Sequence, residues 1–326
     1  MKQKLTAVNK ELLPLGLALK AVSPLGDEVM QRALGPVSAE VLGVLKWIHP
    51  SSKTVYIKRS DGSKLRLLVM RGKQRAGKAI GILWLHGGGY VLGAPEMAYV
   101  SFPRHLLEHY NCVIVAPAYT LSYELPYPAA LEDAYLALRW MHRHPKTLGI
   151  DCKKLVVGGE SAGGGLAAAS CLYARDKGFR NIGMQLLLYP MLDDRETETN
   201  AYNYAPVWDS SANRAAWRIY LGRTYGIAPV SEYAAPARAL DVSRLPPALS
   251  IIGTTEPFYA ETCRYFERLR SAGVACTLAE FEGAYHAFDM LAPFTSISKQ
   301  ATAFLLDAFE SYIQQYMIGD CDNFKC

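Results

Sequence analysis

The segment Gly-Glu-Ser-Ala-Gly at 159–163 constrains this chain more than any other. The residues before it, 154–159, are apolar and β-branched, which predicts a buried strand, and the small, alanine-rich residues after it predict a helix packed closely on a sheet. A sharp turn between the two elements needs small residues, and glycines two positions before and after Ser161 supply them. Such a turn exposes the Ser161 hydroxyl and directs the amide of Ala162 toward whatever the serine attacks.

A second glycine-rich turn, His-Gly-Gly-Gly at 86–89, follows another apolar, strand-like run. We call these four residues the glycine loop. Three consecutive glycines let the backbone pass close to a ligand with its N–H groups turned inward, as the stabilisation of an oxyanion requires. We therefore predict an oxyanion hole formed by the amides of Gly87, Gly88 and Ala162. His86 is interpreted as a structural residue that holds the loop by hydrogen bonds.

His286 is the predicted base for the serine. It lies in a loop between the strand-like run 275–281 and the last predicted helix, downstream of Ser161. A serine hydroxyl is a poor nucleophile near neutral pH without a positioned base, and imidazole titrates in the required range. The remaining histidines are typical of solvated helix faces or lie near the N-terminus: His105, His109, His142, His144 and His49.

The predicted acid is Glu256, in a polar turn just after the strand-like run 247–252. A carboxylate there accepts the imidazole N–H, fixes the tautomer and stabilises the imidazolium that forms. Two rivals stay open. Asp289 is close to His286 in sequence but lies beyond it, and Asp241 is typical of a turn or helix start.

Ser161, Glu256 and His286, in this order and with the glycine loop upstream, resemble the hormone-sensitive-lipase-like branch of the α/β-hydrolases. Three further segments, 117–141, 189–195 and 232–253, are similar to family segments, and the resemblance covers roughly residues 60–310. The chain departs from the family at three places. The acid is glutamate where aspartate is usual, Ala287 stands where glycine is commoner, and residues 120–123 read Thr-Leu-Ser-Tyr where Arg-Leu-Ala-Pro is usual.

The resemblance implies an α/β-hydrolase fold, a mostly parallel eight-stranded sheet flanked by helices, with a helical cap. We expect an N-terminal cap segment at 1–50, a catalytic domain at 51–318 with a cap insertion near 195–230, and a flexible tail at 319–326. The first two predicted strands alternate most strongly in polarity, which favours an exposed antiparallel edge. The predicted strands are 53–59, 63–70, 79–85, 112–119, 154–159, 184–189, 247–252 and 275–281, and the predicted helices are 97–110, 128–144, 162–177, 257–272 and 297–316.

In function, the resemblance implies a serine carboxylesterase that acts on short acyl esters through an acyl-enzyme. It also implies a homodimer paired near the strand at 275–281. Aromatic residues of the insertion line the acyl pocket or act only as packing anchors: Tyr202, Tyr204, Trp208, Trp217 and Tyr220. Glu160, beside the nucleophile, touches the leaving group or supports the turn, and we favour support.

Two other classes of function stay open. One is a catalytically silent receptor that binds a small ligand under the cap. Such receptors resemble this family with the histidine lost, so the presence of His286 argues against this class. The other is a hydrolase of an amide, lactone or carbamate, which the triad does not separate from an esterase because the serine chemistry is shared.

Composition agrees with one enzyme domain. The chain has 326 residues, half of them hydrophobic, which is enough for a single large core. Its net charge of +5 is not gathered into a basic cluster with aromatics, so nucleic acid is not a predicted partner. No Cys-x-x-Cys or His-Glu-x-x-His motif occurs, and neither a metal nor another cofactor is implied.

Cysteine usage and the N-terminus bear on location. Seven scattered cysteines favour a reducing, cytoplasmic setting, although pairing of Cys321 with Cys326 is left open. The apolar run at 12–19 is similar to a signal peptide, but it is flanked by Glu11 and Lys20 and interrupted by proline and glycine, so we interpret it as part of the cap. No run reaches the roughly 18 apolar residues of a membrane span.

Overall fold

The computed structural model of the chain describes residues 7–22, 25–47, 52–73, 77–227 and 229–318. The predicted tail at 319–326, with Cys321 and Cys326, lies outside the described residues. Within the described ranges, no helix is long and apolar enough to cross a membrane.

Eight strands in the described residues form one sheet, in the order β1-β2-β4-β3-β5-β6-β7-β8. Strand β2 runs antiparallel to β1 and β4, and the remaining neighbours are parallel. This arrangement confirms the predicted fold class and the antiparallel edge. The strands are β1 (Lys53–Lys58), β2 (Lys64–Arg71), β3 (Ile80–Leu85), β4 (Cys112–Pro117), β5 (Leu155–Glu160), β6 (Ile182–Leu188), β7 (Ala248–Gly253) and β8 (Cys276–Phe281).

The helices connect and cover these strands. They are α1 (Leu13–Val22), α2 (Glu28–Gly43), α3 (Pro103–His109), α4 (Ala129–Arg143), α5 (Pro145–Leu148), α6 (Ala162–Asp176), α7 (Ser210–Leu221), α8 (Tyr259–Ser271), α9 (Phe288–Leu291) and α10 (Ser296–Tyr312). The prediction of one helix over 97–110 was wrong. A 3-10 helix, Pro95–Tyr99, is separated from α3, which begins at Pro103 because proline has no N–H to continue a preceding helix.

The centre of the sheet is fully buried. Every residue of β4, β5 and β7 is buried, as expected for parallel strands covered on both faces. Helix α6 approaches the sheet very closely because it begins with small residues. A Cβ atom at Gly163 would lie 2.0 Å from the carbonyl oxygen of Leu85 in β3, so a larger residue there would push the helix off the sheet.

The carboxyl ends of the parallel strands meet at one edge of the sheet and bring distant segments together. Strands β5, β7 and β8 end at Glu160, Gly253 and Phe281, so the predicted nucleophile, acid and base all follow strands that end at this edge.

Helices α1, α2 and α7 lie near this edge. Helix α2 packs on α7, and the Gln31 amide donates a buried hydrogen bond of 3.1 Å to the carbonyl of Ala212. In α1, a Cβ atom at Gly16 would lie 2.9 Å from side-chain atoms of both Pro206 and Tyr285, so this helix packs on the insertion and on the segment that carries the predicted base. The N-terminal helices thus contact the insertion, and α1 also contacts the segment that contains His286.

Candidate active site

Ser161 occupies the turn between β5 and α6 with an unusual backbone. Its φ and ψ are 57° and −123°, a conformation that costs an L-residue on the order of 1–3 kcal/mol. The turn is fixed by the Ser161 N–H, which donates to the carbonyl of Leu188 at 2.9 Å. The glycines two positions to either side are required sterically, because a Cβ at Gly159 would lie 2.4 Å from the carbonyl oxygen of Gly163. The strained turn that the pentapeptide predicted is therefore present.

The structure brings Ser161, His286 and Glu256 into one hydrogen-bonded chain. The Nε2 atom of His286 lies 2.8 Å from the Ser161 Oγ, and its Nδ1 atom lies 2.6 Å from the Glu256 Oε2. Since a carboxylate only accepts, Nδ1 carries the proton and Nε2 is left to accept from the serine hydroxyl. The three residues are 6 %, 4 % and 0 % exposed, so the chain of hydrogen bonds is shielded from water.

Glu256 is fixed on both sides of its carboxyl group. While Oε2 faces the imidazole, Oε1 accepts the Gly253 N–H at 2.8 Å, which ties the side chain to the end of β7. Burial raises the pKa of Glu256, and the adjacent imidazole with its hydrogen bond opposes that rise. The turn after β7, which the Glu256 side chain closes by its bond to Gly253, therefore accommodates a side chain one methylene longer than the aspartate usual in the family.

Neither of the two rival carboxylates is paired with the His286 imidazole. Asp241 accepts the Ser243 N–H at 2.7 Å and forms a surface turn, as its sequence context predicted. Asp289, in the first turn of α9, faces the Tyr189 hydroxyl, and burial raises its pKa to about 6. The Nδ1 atom of His286 is already paired with Glu256 rather than with either of them.

Aromatic rings surround the imidazole. The ring centroids of Tyr189 and Phe258 each lie 5.0 Å from that of His286, at nearly perpendicular angles, and that of Trp208 lies 6.4 Å away. These rings exclude water from the imidazole and hold its plane toward Ser161. A low local dielectric strengthens the hydrogen bonds on which proton transfer depends.

The glycine loop is held by the residues that precede and follow it. The Nδ1–H of His86 donates to the Gly87 carbonyl at 2.8 Å, and the Tyr119 hydroxyl donates to the His86 carbonyl at 2.9 Å. Burial lowers the pKa of His86 to about 4, so its ring is neutral. Gly88 has φ +116°, and a Cβ there would lie 2.3 Å from the Leu92 carbonyl oxygen. The structural role predicted for His86 is thus visible in its contacts.

Gly87 lies beside the nucleophile. A Cβ atom on it would be 3.2 Å from the Ser161 Cβ, so only glycine leaves room for a substrate between the loop and the serine. However, its amide faces the carboxyl group of Glu160. The other two predicted oxyanion donors, the amides of Gly88 and Ala162, do not face that carboxyl group. The sequence predicted all three amides as donors, and three adjacent glycines give no signal for the direction of each N–H.

The insertion places one aromatic over the site. Trp208 follows a γ-turn in which its N–H donates to the Pro206 carbonyl at 2.8 Å, and the central residue, Val207, has φ +69°. Positive φ is strained for a β-branched residue, and such strain concentrates at functional sites. Of the other aromatics predicted for the pocket, Tyr202 and Tyr204 are exposed. Trp217 and Tyr220, both in α7, are buried.

Among the described residues, no cluster of three or more His, Cys, Asp or Glu side chains is arranged to hold a metal ion. The chemistry available at the site is that of the serine, the imidazole, the carboxyl groups and the backbone amides. These groups can carry out nucleophilic attack on a carbonyl, with proton transfer through the histidine.

The chain is similar to known proteins over most of its length. A family model described as "alpha/beta hydrolase fold" matches residues 82–290. Esterase LipI of Mycobacterium tuberculosis is 34 % identical over 223 residues, 68 % of this chain and 69 % of that protein. The ethyl acetate hydrolase of Pseudomonas putida is 26 % identical over 258 residues, 78 % of this chain and 80 % of that protein. The solved structure of a bacterial heroin esterase superposes with a TM-score of 0.85 at 30 % identity, covering 94 % of this chain and 98 % of that one.

The chain therefore belongs to the α/β-hydrolase family, in the hormone-sensitive-lipase-like branch that its motifs predicted.

Proposed function

We propose that this protein is a serine carboxylesterase that hydrolyses short-chain esters, with Ser161 as nucleophile, His286 as general base and acid, and Glu256 as the orienting acid. The observation that carries the proposal is the continuous chain of two short hydrogen bonds from Glu256 through His286 to the Ser161 hydroxyl. The esterases among its relatives support the same reaction class.

In the acylation half-reaction, the Ser161 Oγ attacks the ester carbonyl while His286 Nε2 takes the hydroxyl proton. Glu256 stabilises the imidazolium, and the amides of Gly88 and Ala162 donate to the oxyanion. The C–O bond to the alcohol then breaks, and the alcohol leaves with the proton from Nε2. In the second half-reaction water attacks the acyl carbonyl and gives a proton to Nε2. The bond between the acyl carbon and the Ser161 Oγ then breaks, Nε2 returns the proton to Oγ, and the acid leaves.

The preference for short chains rests on Trp208. Its indole stands over the glycine loop and near His286, where it limits the room beside the nucleophile. We also assign residues 1–50 and about 195–230 to the cap, because α1 packs on Pro206 of the insertion and on Tyr285 beside the base, and α2 packs on α7.

The experiment compares hydrolysis of p-nitrophenyl acetate, butyrate, octanoate and palmitate by the wild type, Ser161→Ala and Ser170→Ala. Ser170 is a fully buried serine of α6, the helix that follows Ser161, so its variant controls for the removal of a serine hydroxyl from this part of the fold. We expect activity on the short esters that Ser161→Ala abolishes and Ser170→Ala retains. Full activity in Ser161→Ala would refute the assignment, and a folded wild type inactive on every ester would favour a receptor or another acyl bond.

We also propose a homodimer and a cytoplasmic location. Strand β8 lies at the edge of the sheet with its residues incompletely buried, which leaves a partner strand access to it. Sedimentation as a monomer at micromolar concentration would contradict the dimer. Four of the described cysteines form no disulfide, which supports a reducing compartment: Cys112, Cys171, Cys263 and Cys276. Detection of the protein in a cytosolic fraction of its cells tests the location.

A further inference from the structure

Glu160 is a buried acid whose role the triad does not explain. It is the last residue of β5, immediately before Ser161, and only 2 % of it is exposed. Neither oxygen of its carboxyl group has a hydrogen-bond partner within the described part of the chain. An acid buried in this way is costly to ionise, so its place beside the nucleophile calls for a physical reason.

The carboxyl group lies beneath the glycine loop. The Glu160 Cγ is 3.4 Å from the position that a Cβ on Gly87 would occupy, and the amide of Gly87 faces the carboxyl. The indole N–H of Trp84 and the hydroxyl of Ser101 face it as well, and neither reaches a partner in hydrogen-bond geometry. Three donors therefore surround the group without holding it tightly as an anion.

The other titratable groups that face Glu160 do not offset the charge it would carry. Asp289, from the α9 side, is a second acid and disfavours ionisation, and Tyr189 and Tyr119 are phenols whose pKa values burial raises well above 10. Burial together with Asp289 raises the pKa of Glu160 to about 8. At neutral pH the carboxyl group is therefore mostly protonated.

We propose that Glu160 is a positioning residue whose uncharged carboxyl group supports the glycine loop at Gly87 and keeps negative charge away from the developing oxyanion. The inference rests on the esterase function proposed above. It gives the buried acid two linked tasks: its bulk fixes the height of the loop above Ser161, and its proton keeps the electrostatic potential there favourable for an anionic transition state.

Ionisation of Glu160 undoes both tasks. A carboxylate would draw the Gly87 amide, the Trp84 indole and the Ser101 hydroxyl toward itself, and the loop would shift. Its negative charge would also oppose the oxyanion a few atoms away, in a region of low dielectric. We therefore expect kcat to be highest while Glu160 is protonated and to fall as the pH rises through the pKa of Glu160.

The test is the pH dependence of kcat between pH 6 and 9.5 on p-nitrophenyl acetate, with spontaneous hydrolysis subtracted. We expect the wild type to lose about tenfold in kcat toward the alkaline end. Glu160→Gln, which keeps the shape without the ionisable proton, should stay within about threefold of wild type at pH 7 and lose the alkaline decline. Glu160→Ala should be slow at every pH because the support is gone.

Glu261→Gln is the matched control. Glu261 is also a fully buried glutamate with an unpaired oxygen, but it binds the amides of Leu192 and Asp193 instead of facing the glycine loop. Its variant should retain the alkaline decline. An inactive but folded Glu160→Gln at pH 7, or an alkaline decline that persists in it, would overturn the proposal.

A second measurement does not depend on hydrolysis. Infrared difference spectra of wild type and Glu160→Asp, recorded across the same pH range, report the C=O stretch of protonated carboxyl groups. Among the protonated carboxyl bands at pH 7, we expect one that titrates near pH 8 and is altered by the substitution. A carboxylate at pH 7 would overturn the proposal even if the wild type hydrolysed no ester, so this failure is distinct from failure of the esterase function.

Discussion

The indole of Trp208 lies directly against Gly89, the last residue of the glycine loop. A Cβ atom on Gly89 would be 2.6 Å from the Cη2 atom of the indole, so the close approach depends on glycine. The same indole is within ring-contact distance of His286. One residue of the insertion thus spans the two halves of the site, the glycine loop and the base, and closes the space between them.

We predict that Trp208→Ala enlarges the site and shifts the substrate preference toward larger esters. Each methylene accommodated in a hydrophobic pocket changes kcat/KM by about 10–200-fold, so the ratio of octanoate to acetate activity should rise at least tenfold. The measurement is kcat/KM over two series, p-nitrophenyl esters of increasing acyl length and acetates of increasing alcohol length. The series that responds identifies which substituent the indole faces.

Two variants make this result interpretable. Tyr202→Ala removes an exposed aromatic of the same insertion and should leave both series unchanged. Truncating a buried tryptophan costs about 3–5 kcal/mol of stability, so Trp208→Phe, which retains most of the packing, should show a smaller shift in the same direction. No change in either series for a folded Trp208→Ala would remove this residue as the size limit.

The role of Glu256 is tested by two substitutions of its carboxyl group. Glu256→Gln keeps the length but presents an amide N–H to Nδ1, which favours the wrong imidazole tautomer, and kcat should fall on the order of 10³–10⁴-fold. Glu256→Asp shortens the arm by about 1.5 Å and breaks the 2.6 Å bond to His286 as well as the link to Gly253. We expect a loss of about 10–100-fold in kcat with KM little changed.

Parallel substitution of the rival acids separates the alternatives. Asp241→Asn alters a surface turn and should leave kcat unchanged, whereas Asp289→Asn removes a buried acid near the site and should cost less than about tenfold. If Asp289→Asn instead gave the thousandfold loss and Glu256→Gln did not, the acid of the triad would have to be reassigned.

The turn at Ser161 and the chain order of the three residues could be predicted because both are local consequences of sequence. Glycine at 159 and 163 permits one kind of strand-to-helix turn, and apolar runs before Ser161 and Glu256 predict strands whose carboxyl ends meet at one edge. Most element boundaries were accordingly within two residues of those observed.

The features that escaped prediction depend on contacts between distant segments. Nothing in the sequence shows that Trp208 packs on Gly89, because that contact joins the insertion to a loop 119 positions earlier in the chain. The direction of the Gly87 amide is hidden for a similar reason, since it follows from the burial of Glu160 against β3 and the glycine loop. Side-chain burial and amide orientation require the packed structure.

Asp133, in the family-like segment at the start of α4, has a structural role. The carboxylate is 2 % exposed and accepts from the Thr120 N–H at 2.8 Å, from the Thr120 hydroxyl at 2.7 Å and from the Arg59 guanidinium at 2.5 and 2.8 Å. It joins α4 to the loop after β4 and to the end of β1. We predict that Asp133→Asn lowers the free energy of unfolding by about 3 kcal/mol, because Arg59 and Thr120 lose a buried acceptor.

Urea denaturation followed by circular dichroism measures this loss. Asp61→Asn is the control, since Asp61 accepts from Ser63 in an exposed turn and should change the unfolding midpoint little. An equal effect of the two substitutions would show that the buried network around Asp133 contributes no more than a surface turn.

Ala287, directly after His286, adopts a left-handed conformation with φ 58° and ψ 29°, which accounts for the glycine that the family more often has there. Replacing a buried alanine by glycine costs about 0.8 kcal/mol for the lost methyl group and about 0.5–1 kcal/mol in backbone entropy. At Ala287 the substitution also relieves about 1–2 kcal/mol of left-handed strain. We therefore predict that Ala287→Gly leaves the free energy of unfolding within about 0.5 kcal/mol of wild type.

Ala292→Gly is the matched comparison, because Ala292 is also buried, lies five residues along the chain, and has φ −123°. No strain is relieved there, so the same chemical change should lower the free energy of unfolding by about 1.5 kcal/mol. Equal losses for the two glycines would mean that the left-handed turn after His286 stores no strain. Ala287→Val, which adds a β-branch to a positive φ, should destabilise the protein and lower kcat together, because the turn that it distorts sets the position of the imidazole relative to Ser161.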